Sequence, residues 1–99
     1  MGVRAIVTLQ DKKQNVNHWS ETTPIFSDLK ELKSHIKETW DIDVSRAQKM
    51  YRDKKDGRSV QVGWAKDTWQ YYDDTKQRFP ATFWIEVQDI NPYEFGDRK

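Results

Sequence analysis

The side chains with the greatest chemical capacity in this sequence are cations and large rings. Arg46, Lys49, Arg52, Lys54, Lys55 and Arg58 surround Tyr51 and are opposed only by Asp53 and Asp56, a local net charge of +4. Cations neutralise phosphates and an interleaved ring stacks on a base, so this stretch is a candidate nucleic-acid surface. The competing reading is a hairpin end that Lys and Arg keep soluble and unpaired. A second set is aromatic. Trp69, Tyr72 and Trp84, bordered by Arg4, Glu86 and Gln88, combine big rings with a polar rim, as protein interfaces do.

Other chemistries find little footing. Asp41 with Asp43, and Asp73 with Asp74, lack the ligand spacing of a calcium loop and read as turn formers. His18 and His35 have no metal-ligand spacing, and the absence of cysteine removes thiolate nucleophiles, disulfides and Cys-based metal sites. Ser45 and Ser59 lie outside any G-x-S-x-G context, and the four glycines form no phosphate loop. The sequence therefore predicts no catalytic residue, no metal and no cofactor.

These groups must be positioned by a small scaffold. With 99 residues, 35% of them hydrophobic and 33% charged, the chain has room for one domain spanning 1–99. Seventeen Lys and Arg against 16 Asp and Glu give +1, so attraction to nucleic acid or anionic lipid must come from a local patch. No run approaches the ~18 apolar residues of a membrane span, and the first ten residues carry no cleavage signal. A cytoplasmic protein with no membrane partner is the expectation.

Alternation sets the strands. Val3, Ala5, Val7 and Leu9 share one side of a strand, with Arg4, Ile6, Thr8 and Gln10 on the other, and His18–Thr23 offers a weaker hairpin partner. Ser27 stands where an N-cap oxygen is needed before a helix over Asp28–Thr39, and Leu29, Leu32, Ile36 and Trp40 make its apolar stripe. Lys30, Lys33 and Lys37 line one flank of that helix. A hairpin follows, Ala47–Arg52 and Arg58–Lys66 about Asp56-Gly57, although Ser45 offers a short helical turn through Met50 instead. Trp69–Tyr72 reads as a separate strand segment and Ala81–Ile90 as the last long strand, before a tail over 91–99.

The architecture this predicts is α+β: a two-layer domain in ββαβββ order, with one helix on one face of a four- to five-stranded antiparallel sheet. Val60, Val62, Trp64, Phe83, Ile85 and Val87 are expected to face the helix. Gln61, Gly63, Trp84, Glu86 and Gln88 then face outward with Arg4 and Ile6. An outward Trp84 either marks an interface or lies over the bare backbone of Gly63 beneath Tyr93 or Phe95 of the tail.

Tyr51-Arg52-Asp53, Asp56-Gly57, Val62-Gly63-Trp64 and Phe83-Trp84-Ile85-Glu86-Val87, in a chain of this length, resemble small accessory proteins of Gram-positive phages and integrative mobile elements. That class includes inhibitors of host defence nucleases, the anti-CRISPR proteins among them. The resemblance spans roughly the C-terminal half and implies a binder or inhibitor; it carries over no site residue. The functional expectation is a non-enzymatic protein binder acting through Trp84, Trp69, Tyr72, Arg4, Glu86 and Gln88. The alternative is a nucleic-acid module using the 46–58 hairpin.

Overall fold

The computed structural model describes residues 2–72, 76–89 and 97–98, the last two as backbone only. The tail residues 90–96 and 99, which include Tyr93 and Phe95, lie outside the described residues.

Strand β1 (Val3–Asp11) buries Val3, Ala5, Val7 and Leu9 and turns the alternate residues the other way, as its period of two requires. Asn15, with φ at 56°, closes a tight turn into the exposed strand β2 (Val16–Thr22). Helix α1 (Leu29–Trp40) packs across the sheet with Leu32 and Ile36 fully buried, and Leu29 and Trp40 partly so. Its cap is Asp28, not Ser27. The Asp28 carboxylate accepts the Glu31 N–H at 2.9 Å, while Glu31 reaches back to the backbone N–H and hydroxyl of Ser27. This reciprocal box puts a full charge on the free N–H groups at the helix start, which a serine hydroxyl would not. At the other end, Asp41 takes a left-handed conformation and donates its N–H to the Lys37 carbonyl at 2.9 Å.

A 3-10 turn over Val44–Arg46, capped by Asp43, leads into β3 (Gln48–Asp53); the strand expectation holds, and a helical turn from Ser45 through Met50 does not form. Strand β4 (Ser59–Tyr71) and strand β5 (Arg78–Asp89) follow, and a two-residue β6 (Asp97–Arg98) pairs with Ser59 and Val60. Trp69–Tyr71 is thus the far end of an unbroken 13-residue β4, paired in continuous register with β5. The sheet is antiparallel in the order β2-β1-β5-β4-β3. With α1 on one face, the result is the expected α+β arrangement.

One irregularity changes which residues share a face. Met50 pairs with Gly63 but Tyr51 pairs with Gln61, leaving Val62 as an extra residue in β4. Such a bulge inverts the alternation beyond it. Trp64 therefore belongs to the helix-side core, whereas Val60 is buried apart from that core and Val62 lines a hollow on the opposite face. Expecting Val60, Val62 and Trp64 on one side missed this slip. Gly63 itself is forced. A Cβ there would fall on the Ile85 carbonyl oxygen, 2.9 Å from the Ile85 carbonyl carbon and 3.1 Å from Glu86 Cα.

Candidate functional site

The face of the sheet away from α1 holds a hollow of about 490 Å³ lined by Ile6, Thr8, Met50, Tyr51, Arg52, Val62, Trp84 and Glu86. Four strands converge to make it. Ile6 and Thr8 stand opposite Glu86 and Trp84 across β1 and β5, and the bulge brings Val62 and Met50 to the same place from β4 and β3. Trp84 keeps 39% of its surface exposed, and its neighbours across the strands are Thr8 and Ala65. Gly63 stands opposite Glu86. Gly63 is therefore a diagonal neighbour of Trp84 and not its direct cross-strand partner.

The polar groups around this floor are paired with one another. Trp84 Nε1 donates to Gln10 Oε1 at 2.7 Å, and Arg4 Nε donates to Gln88 Oε1 at 2.9 Å. Arg52 reaches Glu86 at 3.1 Å, and the Thr8 and Ser20 hydroxyls are 3.0 Å apart. The indole N–H is thus satisfied within the sheet, and the ring is left as an apolar surface. A partner covering it removes hydrophobic area from water without breaking the indole's hydrogen bond.

The aromatic set expected from the sequence divides into three places. Trp84, Arg4, Glu86 and Gln88 share the open face. Trp69 shares it too, 57% exposed beneath the Arg78 guanidinium at 4.9 Å, but it sits four residues along β4 from Ala65, the partner of Trp84. At ~3.3 Å per residue that is about 13 Å, too far for one ring patch. Tyr72 is on neither spot. Its hydroxyl donates to Asp11 Oδ2 at 3.2 Å and its ring lies 4.6 Å from that of Phe79, in the buried layer on the helix side.

Asp11 is the organiser at that end. It is fully buried, and its Oδ1 accepts the backbone N–H groups of Lys13 and Gln14 at 2.9 and 3.1 Å. His18 Nε2 stands 3.5 Å from Oδ2. Burial alone pushes this carboxyl up, but the bonds from Gln14, Lys13, His18 and Tyr72 outweigh it and hold the group below its usual value. The Tyr72 phenol is pushed up in turn, by burial and by the adjacent carboxylate. This cluster pins the β1–β2 turn to the end of β4.

The basic run is also divided. Arg52 lies on the open face with Glu86, Arg58 bridges Asp56 at 2.8 Å, and Arg46 is 3.9 Å from Asp43 on the 3-10 turn. Lys49 stands opposite Trp64, which places it on the helix side, while Lys54 and Lys55 occupy the exposed turn and Tyr51 lines the hollow. Residues 46–58 therefore do not form one continuous basic surface around a ring.

Ile6 was expected on this face, whereas Met50 and Val62 are site residues that sequence reasoning missed. Their signal was a glycine inside a strand pattern, a mark of a bulge or of close backbone approach. Among the described residues, no three His, Cys, Asp or Glu side chains gather to hold a metal, and no helix is long and apolar enough to cross a membrane. No known protein family, curated protein or solved structure matches this chain.

Proposed function

We propose that this protein is a non-enzymatic binder that docks a protein partner on the open face of its sheet, with Trp84 as the anchor. The observation that carries this is the Trp84 hollow, with its apolar floor of Ile6, Met50, Val62 and the indole ring, and polar neighbours already paired. Interface energy concentrates in aromatic anchors surrounded by a rim that excludes water, and this hollow supplies both. The likeness to mobile-element accessory proteins suggests what binding achieves: inhibition of a host protein, a defence nuclease of the anti-CRISPR target type being the first to assay.

The test is capture of a partner from nuclease-treated host lysate, followed by titration of the purified partner. Trp84→Ala is expected to weaken binding by roughly 2 kcal/mol or more, about 30-fold, and Met50→Glu to abolish it. Lys54→Glu/Lys55→Glu should bind as the unmodified chain does. Undiminished binding by Trp84→Ala would move the interface elsewhere. A partner whose own activity is unchanged at saturation would remove the inhibitory role.

A further inference from the structure

We infer a second surface, independent of the Trp84 face: a lysine ridge between α1 and β3 that binds the phosphate backbone of nucleic acid without reading its sequence. The near-neutral total conceals a segregation of charge. Residues 30–58 hold nine Lys and Arg against six Asp and Glu, a net +3, while the rest of the chain has a net charge of −2.

The fold gathers part of that excess on one side. Lys30, Lys33 and Lys37 recur at steps of three and four on one flank of α1, over about 10 Å of helix axis. Lys33 Nζ lies 5.7 Å from the centre of the Trp64 ring. Lys49 is the cross-strand partner of Trp64 on β3, and Lys66 lies two residues along β4, so both point to the helix side. Buried Trp64 is thus the hub that draws lysines from the helix and from two strands together. Lys37 is matched by Asp41 at 2.7 Å, and Lys30 lines a hollow beside Phe26 and His35 together with Glu31 and Glu38. The cations that set the local potential are therefore Lys33, Lys49 and Lys66.

The make-up of this ridge selects its ligand. A protein partner held tightly needs an anchor, and the ring at the centre here, Trp64, is only 3% exposed. A phosphate backbone needs cations at intervals and nothing more. Contacts to phosphate carry no base information, so the binding they give is sequence-independent.

The experiment is fluorescence anisotropy with labelled single- and double-stranded DNA of two unrelated sequences, from 50 to 200 mM salt. Three phosphate contacts predict a loss of about 20-fold for single strands or about 40-fold for duplex over that range, with the two sequences bound alike. Lys33→Glu/Lys49→Glu should lose at least tenfold at 50 mM and flatten the salt dependence by about two contacts. Lys33→Gln/Lys49→Gln gives the same readout should the reversed charges disturb folding. Lys12→Glu/Lys13→Glu, on the β1–β2 turn, should stay within twofold of the unmodified chain. Absence of binding at 50 mM, an equal loss in the turn variant, or displacement of DNA by poly-glutamate as readily as by unlabelled DNA would each overturn the assignment.

Discussion

Gly63 is the position where one methyl group should do the most damage. In Gly63→Ala the new Cβ meets main-chain atoms of Ile85 and Glu86, not the end of a movable side chain, so β4 and β5 must part locally. Relief needs a shift of about 1 Å, which takes a ladder N–H···O bond of ~2.9 Å out of hydrogen-bonding range. Two such bonds at about 1 kcal/mol each, with strain of about 1–2 kcal/mol in the packed layer of Trp64 and Ile85, give about 3–4 kcal/mol. For a chain of this size that lowers Tm by roughly 12–30 °C. Gly57→Ala provides the contrast. Among the described residues nothing lies within 4 Å of a Cβ there, and its φ of +85° leaves backbone strain of about 1 kcal/mol. Thermal and urea denaturation followed by circular dichroism measures both. A Gly63→Ala chain as stable as Gly57→Ala would refute the close approach and, with it, the bulge that inverts β4.

Truncating Ile36 or Ile85 to Ala should each cost about 2–5 kcal/mol in urea unfolding, since both are fully buried at the junction of helix and sheet. Trp84→Ala should destabilise the monomer by less than Phe83→Ala, because the first ring is 39% exposed and the second 7%; equal losses would make Trp84 a core residue. Asp11→Asn should lower stability at neutral pH. Its native carboxyl is held below the ordinary 3.8, so its stabilisation is present above that value and fades as pH falls through the depressed one. The gap between variant and unmodified chain should therefore close in acid, and a gap that persists would mean that the carboxylate charge is not what the β1–β2 turn relies on.

Long regular patterns were legible in the sequence and single-residue slips were not. The alternation of β1 and the Phe83–Gln88 parity set two adjacent strands correctly, because a buried face demands one register over many residues. Leu29, Leu32, Ile36 and Trp40 likewise marked the packed stripe of α1. The bulge at Val62 escaped because Val60, Val62 and Trp64 remain apolar on either side of it, so nothing in their types reveals the inversion. Tyr72 was misplaced for a related reason: its partner Asp11 is 61 residues away, and a buried acid in a turn-like stretch looks like any solvated one. The division of the basic 46–58 hairpin between two faces escaped because residue types alone do not show where strand alternation sends neighbouring cations.

The bulge ties the two candidate surfaces together. Without Val62 as an extra residue, Val60 and Val62 would share the helix side with Trp64, and Val62 would not line the Trp84 hollow. Gly63 stands between the two surfaces, with Val62 turned to the apolar hollow on one face of the sheet and Trp64, the hub of the lysine ridge, held on the other by its pairing with Ile85. This makes their dependence on Gly63 separable from their dependence on their own residues. Trp84→Ala should weaken protein capture and leave DNA binding intact, and Lys33→Glu/Lys49→Glu should do the reverse. Gly63→Ala, studied at a temperature where it remains folded, should weaken both. If it impairs only one, the other surface is built without the bulge and its geometry has a different origin.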